Sequence, residues 1–543
     1  MEKVRKKQPN ILFITTDQQR YDTIHAAGYE FIQTPNIDRL AHEGCLYPNA
    51  YSPNPVCIPA RHNMLTGLPA RFHGFDDNYF VETRNIPHHL PTFPQILSDG
   101  GYNAVAIGKM HFQPYRRHNG FHRLHLMDEI PVFREEDDYA MYLKEVGYGH
   151  LQSVHGVRHL LYMLPQQSMV PIHHHGSSWV ADKTIEAIEE NGGNRPFVIW
   201  SGFIHPHPPF DVPAEWADLY KDQDIPEPFK TVTPLSAIAE ENKHIADYPS
   251  PEYLRRAREL YYASISFVDY NIGRIIKKLE ETGELDNTLI IFTSDHGEAL
   301  GDYETYQKFL PYDCSARIPF IMRYPERIKP GTVDERFVDL NDLLPTMLDA
   351  AGLTYPSDIK LPGESLFIQD GKKDRSMQYI EHCKGNRRWV SLRHHEYKYN
   401  YYYGGGYEEL FNLKEDPQET TNLLFNAPSQ ELLDIKQKLR AELVALEDEY
   451  GLEGYIENGD FIKLQDYEIK PYRETNFPKY PQYIKEEERM NLISIEEEIL
   501  MALQNEEVVD IESLDLETFK QYGNFSDDEV KHLIHRFKEN RKK

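Results

Sequence analysis

Residues 9–18 read Pro9-Asn10-Ile11-Leu12-Phe13-Ile14-Thr15-Thr16-Asp17-Gln18. Ile11 to Thr16 is a continuous apolar and β-branched run, the pattern of a strand buried on both faces, and it ends on a carboxylate and an amide. Four more runs of this kind follow, at Asn103 to Ile107, Pro196 to Phe203, Leu289 to Thr293 and Pro319 to Arg323. Amphipathic stretches separate them. Trp179 to Asn191 is one, and Glu252 to Gly283 is another, with Leu260, Ser264, Phe267, Ile272, Ile275, Ile276 and Leu279 on one helical face. Buried strands alternating with helices predict an α/β fold, a large mixed, mostly parallel sheet sandwiched by helices. Ligand sites in such sheets gather beyond the carboxyl ends of the strands. The polar residues after the first four runs are therefore site candidates: Asp17 and Gln18, Lys109 and His111, His205 and His207, Asp295 and His296.

Composition bounds the problem. The 543 residues suffice for a large core and more than one structural unit, and 40% apolar with 12% aromatic content is that of a folded chain. A formal charge of −28 excludes nucleic acid and polyanionic membranes as general partners, so any potential that draws an anion must be local. The four cysteines, Cys45, Cys57, Cys314 and Cys383, form no disulfide framework and fit a reducing compartment. The basic Met1 to Lys7 precedes an apolar run too short for a signal peptide, and no 18-residue apolar stretch occurs. A cytoplasmic location without membrane attachment is expected.

The stretch Asn54 to Gly67 sets Cys57, Pro59 and Arg61 between a Pro/Asn-rich turn and an apolar run, a loop entering a helix. Such a start offers free N–H groups and a positive dipole to an anion, would activate a thiolate, and puts Arg61 one turn away. Taken alone, the pattern fits a small apolar Cys at a helix start equally well. Asp17-Gln18 and Asp295-His296-Gly297-Glu298 add mainly oxygen donors and one imidazole, a set suited to Ca²⁺, Mg²⁺ or Mn²⁺ rather than structural zinc.

Together these segments resemble the sulfatase family. Cys57-x-Pro59-x-Arg61 is similar to the signature whose Cys is oxidised to formylglycine, and Pro9 to Ile14 with Asp17 looks like the family's opening. Thr293-Ser294-Asp295-His296-Gly297-Glu298 looks like its second metal-binding segment, although many members carry Asp-Asp and Asp-Asn where this chain has Asp17-Gln18 and Asp295-His296. Gly101 to His111 resembles the second signature, with Ala104 where Ser or Thr is usual, and Phe203 to Phe210 resembles a Pro-His-x-Pro element whose His is His207. Val338 to Leu353 and Glu409 to Leu423 extend the likeness, which spans roughly residues 8 to 450.

The resemblance implies an alkaline phosphatase-like catalytic domain at residues 1–375 and a smaller α+β subdomain with an antiparallel sheet at 376–450. The implied activity is that of a sulfuric ester hydrolase, which cleaves a small-molecule or saccharide sulfate monoester to alcohol and sulfate. Cys57 would be matured to formylglycine by a separate generating enzyme. Asp17, Gln18, residue 57, Asp295 and His296 would hold one divalent ion, Ca²⁺ ahead of Mn²⁺ or Mg²⁺. Arg61 would hold the nucleophile's loop, Lys109 and Lys308 the sulfuryl oxygens, His207 the leaving group, and His111 would act as the base that expels sulfate. Asn78 would line the substrate pocket, and His205 would either join it or make a structural hydrogen bond. The rival readings are a phosphonate monoester or phosphodiester hydrolase of the same superfamily and a silent binder of sulfated ligands. Lys109-x-His111 favours sulfate.

Two stretches lie outside the resemblance. Residues 113–175 are rich in His and aromatics and read as a variable substrate-pocket insertion, since His173, His174 and His175 cannot all face one ion. Residues 451–543 begin with a linker, Asp466 to Tyr483, and end in acidic helical segments too polar for a core of their own. They are expected to pack on the chain's own catalytic domain or on a neighbouring subunit of a homo-oligomer.

Overall fold

The opening run forms the central strand of the sheet, β1 (Asn10–Asp17). The computed structural model describes residues 8–78, 85–158, 160–191, 193, 195–246, 248–367, 375–469, 484–514, 519 and 525–542. Met1 to Lys7 and most of the Asp466 to Tyr483 linker lie outside the described residues. The other strands of the sheet are β2 (Cys45–Leu46), β3 (Asn103–Gly108), β4 (Arg123–Leu126), β5 (Phe197–Pro206), β6 (Thr288–Ser294), β7 (Phe320–Arg323) and β8 (Thr332–Val333). Their order is β4-β3-β5-β1-β6-β7-β2-β8. β4, β3, β5, β1 and β6 are parallel, with Phe13 opposite both Trp200 and Ile291. The fifth run, β7, is antiparallel to β6 and so points its carboxyl end away from the others'.

Side chains alternate across β1, and each set founds a core. Ile11 and Phe13 pack with Trp200, Ile291 and helices α2 (Cys57–Thr66), α3 (Phe93–Asp99) and α6 (Leu343–Ala351) through Met64, Leu97 and Met347. Leu12 and Ile14 pack on the opposite face with α1 (Pro35–Glu43), α4 (Gly176–Asn191) and α5 (Pro251–Glu281) through Leu40, Val180 and Ile272. Each such buried side chain contributes about 1.5–3 kcal/mol, which makes the sheet a rigid base for the polar residues at its edge.

A second, antiparallel sheet follows: β9 (Met377–His382), β10 (Trp389–His394), β11 (Tyr397–Tyr402) and β12 (Tyr407–Asn412), in sequence order. Helix α7 (Gln430–Tyr450) covers it with Leu439 and Leu443. This unit grips the first one close to the site: Trp389 Nε1 donates to the carbonyl of Phe309 at 2.9 Å, and Lys398 bridges Asp313 and Glu419 at 2.6 and 2.7 Å. The loop bearing Lys308 is held from that side.

The C-terminal extension packs on its own chain. Leu503 and Val509, with Ile499 of α8 (Ile495–Ala502) and Leu533 and Phe537 of α9 (Asp527–Arg541), share one apolar cluster with Val157, Leu161, Leu164 and Tyr253. Polar ties flank it: Arg256 Nε to Glu506 Oε2 at 2.9 Å, and the Gln152 N–H to Glu498 Oε1 at 2.6 Å. The extension thus completes a core of which Val157, Leu160, Leu161, Leu164 and Tyr253 supply the other half. No helix among the described residues is long and apolar enough to cross a membrane.

Candidate active site

The carboxyl ends of β1, β3, β5 and β6 and the first turn of α2 converge on Cys57, the first residue of that helix. Two turns off the strands need unusual backbone. Gln18, just past β1, has φ 67°, and His111, three residues past β3, has φ 55°, positions that cost strain and tend to mark functional sites. Gly108 at the end of β3 has φ 85°, and a Cβ there would lie 2.0 Å from the carbonyl oxygen of Gly202. Only glycine lets β3 and β5 come this close while releasing Lys109 into the site. Asp17, Gln18, Cys57, Arg61, Lys109, Asp295 and His296 are all 0% exposed.

Arg61 organises the carboxylates. Its Nε is 2.9 Å from Asp295 Oδ2, its Nη2 is 3.2 Å from Asp17 Oδ2, and its Nη1 donates to the Lys109 carbonyl at 2.6 Å. The two Oδ1 atoms lie 3.7 and 3.6 Å from His296 Nε2, that of Asp295 also accepting the Gln18 and His296 N–H groups at 3.1 and 3.0 Å. His296 Nδ1 lies 3.0 Å from the Gly297 carbonyl and donates to it, which leaves the Nε2 lone pair directed at the cluster. Single ligand atoms of Asp17, Cys57, Asp295 and His296 lie within 4.8 Å of one another. Gln18 Oε1 adjoins them, accepting from Lys308 Nζ at 2.9 Å with one of its two lone pairs. Three oxygens and an imidazole nitrogen fit a hard or borderline divalent cation.

An anion seat adjoins this cation seat. Lys308 Nζ is 2.9 Å from Cys57 Sγ and 3.0 Å from His207 Nε2, while Lys109 Nζ is 2.5 Å from Asp17 Oδ2. A ring nitrogen of His111 and a carboxylate oxygen of Glu129 lie within 4.8 Å of the Cys57 sulfur and of each other. Burial pushes the Cys57 thiol up to about 12, helped by Asp17 and only partly opposed by Lys109 and Lys308. The activated thiolate expected from the helix dipole is therefore corrected: desolvation outweighs the helix start, and residue 57 is a protonated thiol. Burial also holds His111 and His296 down at about 4, so both imidazoles are neutral at neutral pH. Lys109 stays charged, because Asp17 and Glu129 more than offset its desolvation and hold its pKa well above the usual value.

Two expected pocket residues are placed differently. Asn78 Oδ1 accepts the Ile58 N–H at 2.9 Å, so its side chain caps the start of α2 beside Cys57. His205 is not brought to the cysteine. β5 extends through Pro206, which puts His205 on the same face as Phe203, towards α4, where its Nε2 meets Asp211 Oδ1 at 2.8 Å and its Nδ1 meets Ser177 Oγ at 3.3 Å. His175 joins that network through the Asp211 carbonyl at 3.2 Å. Sequence reasoning missed Glu129, whose carboxylate contacts Lys109 Nζ at 2.6 Å, Arg158 Nη2 at 2.7 Å and His207 Nε2 at 3.3 Å. It also missed Asp128, which accepts the His111 N–H at 2.9 Å. Both stand just past the end of the edge strand β4.

A two-carboxylate, one-imidazole cation seat against a lysine-lined anion seat, at the edge of a mixed α/β sheet, defines a metal-assisted hydrolase of anionic esters. The chain belongs to the sulfatase family: residues 9–353 match that family, and residues 301–449 match the C-terminal region of N-sulphoglucosamine sulphohydrolase. It is 31% identical over 491 residues to an arylsulfatase of Clostridium perfringens, covering 84% of this chain and 98% of the relative. A choline-sulfatase of Rhizobium meliloti is 29% identical over 440 residues, or 77% of this chain and 83% of its own. Among solved structures, the phosphonate monoester hydrolase of Agrobacterium radiobacter superposes with a TM-score of 0.70 at 24% identity, covering 83% of this chain and 98% of its own. A protein solved with its substrate D-glucosamine-2-N,6-O-disulfate gives 0.67 at 23% identity over 82% and 98%. These two likenesses show the shared fold.

Proposed function

We propose that this sulfatase hydrolyses a sulfate monoester to alcohol and sulfate at residue 57, with Cys57 matured to formylglycine by a separate enzyme. The observation that carries this reading is the convergence on one buried sulfur of His296 Nε2 at 3.1 Å, Lys308 Nζ at 2.9 Å and Asp17 Oδ1 at 3.8 Å. Asp17, Gln18, Asp295 and His296 would hold the divalent cation, and calcium suits this oxygen-rich set best. When present, the cation and the formylglycine hydrate supply a positive charge at the reacting oxygens and an oxygen nucleophile in place of the inert thiol.

The chain's own residues do the rest. Lys109 and Lys308, fixed by Asp17 and Gln18, face the position that the sulfuryl oxygens must occupy and stabilise charge developing there. Arg61 fixes both carboxylates at one spacing. His207, whose Nδ1 is 2.6 Å from the Pro208 carbonyl, turns Nε2 towards Lys308, and this pair can deliver the proton that the departing alkoxide needs. His111, neutral, is the base beside residue 57 that accepts the proton when sulfate leaves. A cavity of about 790 Å³ opens at His111 and is lined by Phe112, Tyr115, Arg117 and Phe133. Its size and aromatic walls suit an aryl or sugar alcohol.

Matured enzyme assayed against matched aryl sulfate, phosphonate monoester and phosphate diester tests the reading. Sulfate should be preferred. A preference of tenfold or more for the phosphonate or the diester, about 1.4 kcal/mol of transition-state stabilisation, would transfer the assignment to that chemistry.

A further inference from the structure

The seat into which a substrate's anionic group must fit already contains a carboxylate. Glu129 Oε2 is 2.6 Å from Lys109 Nζ, placed to hold a sulfuryl oxygen, and its Oε1 is 3.3 Å from His207 Nε2, placed at the leaving group. One of its oxygens lies within 4.8 Å of the Cys57 sulfur. The residue is 5% exposed and is tethered from behind by Arg158, whose Nη2 is 2.7 Å from Oε1. Burial opposes its ionisation, but the charged Lys109 and Arg158 that it touches keep its carboxyl well below the usual carboxylate range. A site meant only to bind an anion as tightly as it can gains nothing from a fixed negative charge among its cations.

We propose that Glu129 sets the charge for which the seat is built, admitting a monoanionic sulfate ester, rejecting a dianionic phosphate ester and hastening release of the dianionic product sulfate. The inference rests on the sulfatase reading above. A sulfate monoester carries one negative charge, whereas a phosphate monoester carries nearly two above its second pKa of about 6. Repulsion from a carboxylate a few ångströms away scales with that charge, and in a buried site it is weakly screened. Inorganic sulfate, the product, again carries two charges, so the same group that excludes phosphate esters loosens the product. Arg158 holds the carboxylate in place, and its own anchorage lies between Val157 and Leu160, in the core completed by the C-terminal extension.

The test compares wild type, Glu129→Gln and Glu129→Asp, all matured and metal-loaded, on nitrophenyl sulfate and nitrophenyl phosphate above pH 7, with inorganic sulfate as inhibitor. In Glu129→Gln the phosphate-to-sulfate ratio of kcat/KM should rise about tenfold or more, and the inhibition constant of inorganic sulfate should fall by a similar factor. Glu129→Asp, which keeps the charge, should keep the wild-type ratio whatever turnover it loses. Glu129→Gln activities that fall in proportion on both esters, with the ratio within about twofold of wild type, overturn the inference and leave the sulfatase reading standing. A matured wild type that turns over no sulfate ester overturns both.

Discussion

Arg61→Met removes the guanidinium and keeps most of the stem's volume. Arg61 is 0% exposed and meets Asp295 Oδ2 at 2.9 Å, Asp17 Oδ2 at 3.2 Å and the Lys109 carbonyl at 2.6 Å. Deleting one partner of a buried ion pair leaves a charge without compensation and costs about 3–5 kcal/mol. Lys109 still touches Asp17, so the lower end, about 3 kcal/mol, is expected in metal-free protein. A divalent cation between the same carboxylates takes over part of the missing compensation, and with saturating calcium the loss should shrink to below about 2 kcal/mol. Urea unfolding followed by tryptophan fluorescence, in chelator and in calcium, reads both values. A loss under about 1 kcal/mol in chelator, or one that calcium leaves unchanged, would refute the claim that Arg61 and the cation share two carboxylates.

Other perturbations give separate readouts. Cys57→Ala should abolish turnover while calcium still binds, because Asp17, Gln18, Asp295 and His296 remain; retained turnover would remove residue 57 from the chemistry. Peptide mass analysis should find the aldehyde in active preparations and the thiol in protein made without a maturation enzyme. Asp295→Ala should lose calcium and activity together, and zinc at one ion per chain with full activity would show that the ligands have been misread. With His111 as the proposed neutral base, turnover should be flat at neutral pH and fall only as acid protonates the imidazole near its pKa of about 4; an acid limb near the unperturbed value of about 6.5 would remove His111 from that role. Leu533→Ala, in the fully buried core of the extension, should cost about 2–5 kcal/mol in the same unfolding assay.

Much of the catalytic sheet was legible because it is buried on both faces, so that β1, β3, β5 and β6 read as unbroken apolar runs whose ends deliver Asp17, Lys109, His207 and Asp295. β4 escaped for the opposite reason. As an edge strand it alternates, Arg-Leu-His-Leu, and is mostly half-buried, so the residues beyond its end, Asp128 and Glu129, drew no attention. Applying the carboxyl-end rule to alternating strands as well as to continuous ones would have found them. His205 stayed open between pocket and structural roles because the apolar run ends at Phe203 while the strand continues to Pro206, and three extra residues of ladder decide which face an imidazole takes. The thiol's pKa was hidden because a helix start is visible in sequence and full burial is not. Nothing in the acidic tail's composition showed that Val157, Leu160, Leu161 and Leu164 hold the other half of its core.

The balance of charge around residue 57 explains how a chain of formal charge −28 can bind an anion at all. Asp17, Asp295 and Glu129, with Asp128 on the His111 N–H, bring four negative charges, and Arg61, Lys109, Lys308 and Arg158 bring four positive ones. The imidazoles of His111, His207 and His296 are held neutral by burial and add nothing. Protein groups alone therefore leave no surplus positive charge in a buried site, nothing to draw an anion strongly from water against the field of the whole molecule. A divalent cation held by Asp17 and Asp295 would supply that surplus where the sulfuryl oxygens are proposed to bind. Chelation should thus weaken substrate binding as well as chemistry: in calcium-free Cys57→Ala protein, a nonhydrolysed aryl sulfonate should bind at least tenfold more weakly than in the calcium-loaded variant, about 1.4 kcal/mol. Equal affinity in the two states would mean that the lysines suffice and that the cation serves the reacting oxygen alone.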